Sequence, residues 1–331
     1  MEKRDIIVTC ILAAVLAVVL VLGSQTSEQP SRLFDVPVVR AQFEESIRTN
    51  GGQEAYRLFS RAYEDMPFGT RHTAAHLFGE TLYEIEGVPG VVACDSAFDY
   101  GCFHGFFIEA VSTEGLAVVV PLDEACQTTS VELASSCQHG IGHGIIEFLG
   151  QEKLAEALEL CAQIQRSGPL GGCFSGVFMQ YNAPRVATQD GTLQQTVRPL
   201  EDSNDPYDQC PTLDARFKPA CYYSLPLWWK NLYQPAYDRI GKLCDEVPEQ
   251  EFRTTCFFGL GTVIASSSDF EPGTIIQRCS MIAVEDGRER CLRTAAHSVA
   301  TRVGKMYEAQ VVCAALPLSN QECPAGVSHA P

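Results

Sequence analysis

Two patterns of apolar residues alternate along most of this chain. In the first, apolar residues recur three and four positions apart among charged ones, as in Glu152-Lys153-Leu154-Ala155-Glu156-Ala157-Leu158-Glu159-Leu160-Cys161 and Tyr237-Asp238-Arg239-Ile240-Gly241-Lys242-Leu243-Cys244. That spacing gathers the apolar side chains on one face of an amphipathic helix. The second pattern is nearly all apolar, as in Cys256-Phe257-Phe258-Gly259-Leu260-Gly261-Thr262-Val263-Ile264-Ala265, and suits a buried helix. Turn formers stand between them: Ser167-Gly168-Pro169, Val247-Pro248, Glu285-Asp286-Gly287. The predicted unit is a helical hairpin, a polar helix A followed by an apolar helix B.

The cysteines give the hairpins a period. Apart from Cys10 they form seven successive pairs: Cys94/Cys102, Cys126/Cys137, Cys161/Cys173, Cys210/Cys221, Cys244/Cys256, Cys279/Cys291 and Cys313/Cys323. Second members of the first six pairs are spaced by 35, 36, 48, 35 and 35 residues, so the repeat is near 35 with one insertion. Each pair lies near the end of a helix A and the start of the following helix B. Antiparallel helices bring those ends together, and a disulfide is expected across each hairpin. CxxC spacing is absent, which argues against thiolate metal sites. A unit without cysteines comes first, with helix A over 54–64 and helix B over 71–84. Its register follows from Arg71-His72-Thr73-Ala74-Ala75-His76, which echoes Leu292-Arg293-Thr294-Ala295-Ala296-His297. The fold class is therefore all-α, about seven hairpins over 41–325, closed into an α/α toroid or left as an open α-solenoid. Residues 183–208 read as a polar insertion loop suited to a lid, and 326–331 as a tail.

Aligning the B helices on the second cysteine exposes two informative columns. Three residues on, every position is small: Thr73, Gly105, Gly140, Gly176, Ser224, Gly259 and Thr294. Glycine disfavours a helix interior by about 1 kcal/mol relative to alanine, so such a column predicts close helix contact. Two and six residues on, one turn apart on the same face, lie six of the seven histidines: His72, His76, His104, His139, His143 and His297. Glu80 and Glu147 follow one turn later, making two copies of a His-x3-His-x3-Glu ladder.

Two imidazoles at i and i+4 chelate a single ion, and a carboxylate one turn on ligates it or orients a histidine. The expected metal residues are His72, His76, His104, His139, His143, His297, Glu80 and Glu147. Nitrogen and carboxylate donors suit a divalent transition metal, with Zn, Fe, Cu or Mn all compatible. A ring would return the last B helix beside the first and bring His297 to His72. Structural histidines bonded to loop carbonyls, or a metal-free acid–base site, are the competing readings. Units without histidine carry Tyr223 and Trp228, which would serve as a pocket wall, with Arg293 of the last unit as its cation.

Composition sets the surroundings. With 24 Lys+Arg against 41 Asp+Glu and a net charge of −17, no basic surface for nucleic acid is expected. Residues 6–23 form an apolar segment about long enough to cross a bilayer, after a short stub at 1–5 carrying Lys3 and Arg4 and before a linker at 24–40. It reads as an uncleaved transmembrane signal anchor, with a cleaved signal peptide as the alternative. Either way the bulk of the chain lies outside the cytoplasm, where disulfides form.

In its hairpin period and cysteine pairing, over about residues 90–325, the chain resembles disulfide-rich Sel1-like repeat proteins and, more loosely, tetratricopeptide arrays. The Ala/Leu-Gly/Tyr consensus of those families is missing and the cysteine spacing is longer. The His104-Gly105 and His139-Gly140 pairs give a fainter similarity to α/α-toroid zinc enzymes of the lanthionine-cyclase type. Those enzymes use cysteine ligands, which here are committed to bridges. Two functions follow from the residues: a membrane-anchored extracytoplasmic metalloprotein acting on a small molecule or envelope component, or a helical-repeat scaffold binding an envelope protein or glycan.

Overall fold

A computed structural model describes residues 35–317, apart from 129–130, 167, 188–192, 201–204, 234–235 and 303. The apolar segment at 6–23, Cys323 and the tail lie outside the described residues. A compact unit begins at Phe43; the described residues before it, 35–42, hold the first turns of α1 (Val36–Asn50).

The seven expected B helices are α3 (Phe68–Glu86), α4 (Gly101–Glu114), α6 (Val131–Leu149), α8 (Gly172–Asn182), α9 (Lys218–Tyr233), α11 (Gln250–Ser267) and α13 (Glu285–Ala300). Each packs on the next along the chain. The A helices are α2 (Gly52–Tyr63), α5 (Val119–Cys126), α7 (Leu154–Ile164), α10 (Tyr237–Asp245), α12 (Pro272–Ser280) and α14 (Met306–Ala314). Two units depart from the pattern. Around Cys94 the chain forms short 3-10 turns, Val88–Ala93 before it and Ala97–Tyr100 after it; in the first, Pro89 and Gly90 oppose an α-helix. Before Cys210 it runs through turns after the insertion.

Six disulfides form as expected: Cys94–Cys102, Cys126–Cys137, Cys161–Cys173, Cys210–Cys221, Cys244–Cys256 and Cys279–Cys291, with Cα separations of 5.4–5.8 Å. The second cysteines do not all sit where the hairpin picture puts them. Cys102, Cys173 and Cys221 lie in the first turn of their B helices, as expected. Cys137, Cys256 and Cys291 lie nearly two turns inside theirs, which corrects the expected helix starts. In those three units the B helix begins earlier, so the bridge ties the end of helix A to its side. Cys313 is disulfide-bonded too, and its expected partner Cys323 is outside the described residues. Six bridges in one domain fit an oxidising environment.

The small-residue column is where B helices touch. A Cβ on Gly105 would stand 1.9 Å from the His76 carbonyl oxygen, one on Gly176 1.9 Å from that of His139, and one on Gly259 1.9 Å from that of Tyr223. Other faces of these helices supply the core, in which Phe103, Phe106, Phe107, Phe178, Phe257, Trp228 and Trp229 are fully buried. The stretch Ala97–Cys126 is long and apolar enough to cross a membrane by composition, yet half of it is interior to this fold.

The insertion is less of a surface loop than its polarity suggests. It holds a small antiparallel hairpin, β1 (Arg185–Ala187) with β2 (Leu193–Gln195). Beyond it Arg198, 6% exposed, pairs with Asp208 at 2.9 Å and donates to Asn182 at 3.2 Å. Its guanidinium lies over the rings of Tyr181 and Trp228, at 4.1 and 4.2 Å from their centroids. Trp228 donates its indole N–H to the Arg198 carbonyl at 2.6 Å. Trp228 is thus a core residue clamping the insertion, and the expectation of a pocket wall there is corrected.

Two ion pairs join early and late parts of the chain. Arg302, just past α13, pairs with Asp99, 203 residues earlier, and lies 4.4 Å from the Phe270 ring centroid. Arg71 of α3 pairs with Asp269 after α11 at 3.5 Å.

Candidate metal centre

Helices α3, α4 and α6 bring five histidines into one place. His72 and His76 come from α3, His104 from α4, and His139 and His143 from α6. Their facing nitrogens fall into two groups, His72/His76/His104 and His104/His139/His143; within each group the atoms lie within 4.8 Å of one another. His104 is common to both. Its ring centroid is 5.6 and 5.2 Å from those of His72 and His76, and 5.3 and 4.4 Å from those of His139 and His143. No cysteine belongs to either group, in keeping with the commitment of Cys137, Cys173, Cys221 and the other described cysteines to bridges.

The glycine contacts explain how the rings converge. Gly105, next to His104, lets α4 rest against the His76 carbonyl, and Gly176 lets α8 rest against the His139 carbonyl. Backbones this close place the side chains of adjacent helices at imidazole-to-imidazole distance.

The outer nitrogens of three rings are committed. His72 Nδ1 lies 2.7 Å from the Phe98 carbonyl oxygen, which only accepts, so this nitrogen carries the proton. Ser175 Oγ donates to the Gly172 carbonyl at 2.9 Å and therefore accepts from His139 Nδ1 at 2.7 Å. His143 Nδ1 donates to Gln180 Oε1 at 2.9 Å, and Gln180 Nε2 donates to Glu147 at 2.5 Å. A neutral imidazole with its proton on Nδ1 has a lone pair on Nε2. The lone pairs of His139 and His143 face each other, their Nε2 atoms 3.0 Å apart, and that of His72 faces His76 Nε2 at 3.2 Å.

Burial favours the neutral form of His139 and His104. His139 is pushed down to about 4 by desolvation, against which the nearby Asp99 carboxylate pulls upward. His104 is held well below the usual histidine value by desolvation, with the other four imidazoles adding to the effect. His104 Nε2 is buried with no hydrogen-bond partner.

Phe98, whose carbonyl holds His72, belongs to an unusual segment. Phe98, Asp99 and Tyr100 are all left-handed, with φ of 52°, 57° and 62°. Such a conformation costs roughly 1–2 kcal/mol per residue away from glycine. The Cys94–Cys102 bridge, the Asp99–Arg302 pair and the Phe98 ring, 5.1 Å from Phe59, hold it.

Five of the six expected histidines are therefore together. His297 is exposed on α13 and belongs to neither group. Glu147 stands one bond behind Gln180 and positions His143 rather than facing the centre. Glu80 is half-buried and belongs to neither group. Of the expected pocket, Tyr223 bonds Thr262 at 2.9 Å and Arg293 is half-buried. Sequence reading missed Gln180 and the Phe98 carbonyl as holders of histidine. Gln180 carries a faint signal, a lone amide in the apolar run Phe174–Tyr181. Ser175 occupies the first histidine column of its own unit, so its neighbourhood was readable. Comparison with models of protein families, with characterised proteins and with solved structures finds no match to this chain.

Proposed function

We propose that this chain is a membrane-anchored, extracytoplasmic metal-binding protein whose helical hairpins close into an α/α ring, with a histidine-lined centre on the inner helices. One observation carries the metal reading. His139 and His143 both use their Nδ1 protons outward and face each other's Nε2 lone pairs across 3.0 Å. Two such lone pairs repel unless a cation lies between them. A shared proton would make one ring an imidazolium, which burial disfavours at His139. A divalent transition ion binds neutral imidazoles without that difficulty, and ligand histidines generally donate their other N–H to a carbonyl, carboxylate or similar acceptor.

Each group offers three histidine nitrogens, His104 being common to both, and no fourth His, Cys, Asp or Glu donor among the described residues. Three protein ligands is the donor count of catalytic zinc sites, which leave one position for water or substrate. That supports a metal-dependent enzyme over a purely structural site. Ring closure is supported by the Arg302–Asp99 and Arg71–Asp269 pairs, and the extracytoplasmic location by the disulfides. The anchor rests on the apolar segment at 6–23.

Elemental analysis of the purified protein tests the reading. At least one transition-metal ion per chain is expected, with a lower content in a folded His139→Ala/His143→Ala variant. A metal-free protein, unable to take up added Zn2+, would overturn it and favour the repeat scaffold.

A further inference from the structure

We propose that the centre takes two transition-metal ions, one on the His72/His76 pair and one on the His139/His143 pair, with His104 standing between them. This rests on the metal reading above and specifies its nuclearity. Nitrogens bound to one zinc ion lie about 2.0–2.1 Å from it, so an adjacent pair is separated by about 3.0–3.4 Å and an opposite pair by at most about 4.2 Å. The two helical pairs, at 3.2 and 3.0 Å, each have the separation of neighbours on one ion. The five nitrogens together do not. They divide into two triads that share His104 and do not merge into a single group even at 4.8 Å. No single ion therefore reaches both pairs.

The contacts behind the rings are duplicated as well. The α3 pair is oriented by the Phe98 carbonyl on His72, and the α6 pair by Ser175 and Gln180. An ion on the α3 pair alone would leave the Nε2 lone pairs of His139 and His143 opposed, at the cost described for poorly matched buried polar groups. His104, buried and with an unpartnered Nε2, is within reach of either ion. The duplication follows from the repeat, since His72/His76 and His139/His143 occupy the same two positions of their respective B helices.

The test uses the full-length protein, stripped with a chelator and titrated with Zn2+ by calorimetry and metal analysis. Two equivalents are expected for the wild type, and one for each of His72→Ala/His76→Ala and His139→Ala/His143→Ala. Circular dichroism and the absence of free thiols other than Cys10 would establish that the variants fold. A single equivalent in the wild type would overturn the two-ion centre and leave the metal reading standing. No binding at all would overturn both. A variant-independent check is electron paramagnetic resonance of the wild type loaded with Cu2+. An isolated Cu2+ spectrum at one equivalent should be broadened or lost at two, because adjacent ions couple. Two bound equivalents with an undiminished isolated signal would place the ions apart and overturn the proposal.

Discussion

Gln180 shows how much a single side chain contributes to the centre. Its amide oxygen accepts from His143 Nδ1 and its amide N–H donates to Glu147, so the carboxylate fixes the amide and the amide fixes the histidine tautomer. Gln180→Leu keeps the volume and removes both bonds. His143 then has no acceptor holding its proton on Nδ1, and the Nε2 lone pair is no longer enforced. Zn2+ affinity should fall about 10- to 100-fold, the usual effect of deleting such a partner, while helix content stays unchanged. Competition with a chromophoric chelator measures this directly, and an unaltered affinity would mean that Gln180 has no part in the centre. Much of the centre at this scale was legible in sequence. Five histidines lay in two columns of one alignment, which follows from the 3.6-residue helical period. The holders were less legible because they come from neighbouring elements. The Phe98 carbonyl has no side-chain signature, and it reaches His72 only through three successive left-handed residues that propensity disfavours.

Among the elements, the decisive contacts are those between successive B helices. The small column was readable as close packing because glycine is a poor helix former, and at Gly105, Gly176 and Gly259 the structure locates the contact at a carbonyl of the preceding helix. Gly176→Ala tests the link between that packing and the site. Its Cβ would meet the His139 carbonyl oxygen at 1.9 Å, and no side-chain rotation relieves a clash with backbone. Helix α8 must move away from α6, carrying Ser175 and Gln180 with it. Stability should drop by about 1–3 kcal/mol, as for other overpacked interfaces, and metal affinity should drop with it. Gly168→Ala, which meets nothing within 4 Å, is the matched control and should change neither. What the period did not reveal was the loss of helix A before Cys94 and Cys210. There proline, glycine and the insertion override the repeat, and the cysteine spacing alone survives. Nor did it reveal that the B helices around Cys137, Cys256 and Cys291 start well before the cysteine, because polar first turns such as Gln250–Thr255 resemble the loops they follow. Arg198 was likewise hidden: a charged residue in a polar loop gives no sign that two aromatic rings and a half-buried aspartate will enclose it.

At the scale of the whole molecule, the question is what joins the last hairpin to the first. The sequence argued for a ring from His297, and that residue is exposed and apart from the others. The contacts between the ends come instead from residues outside the histidine columns. Arg302 pairs with Asp99 and lies against Phe270, while Arg71 pairs with Asp269. Both aspartates occupy left-handed positions, with φ of 57° and 49°. Asp99 thus links two functions, since it lies at the seam and is the carboxylate that bears on His139. In the proposed ring both pairs would lie where its two ends close. Arg302→Gln removes the charge and most of the ring contact, leaving Asp99 half-buried without its partner. The expected loss is about 1–2 kcal/mol, within the range for a partly exposed ion pair plus one cation–π contact. Its distribution is more telling than its size. In hydrogen exchange followed by mass spectrometry, protection should fall in the segments flanking that contact, 94–101 and 296–302, and remain in α7 and α8. Arg216→Gln, which breaks an exposed pair with Glu159, should leave the exchange pattern unaltered. If Arg302→Gln has as little effect as that control, the contact is incidental and the hairpins form an open array.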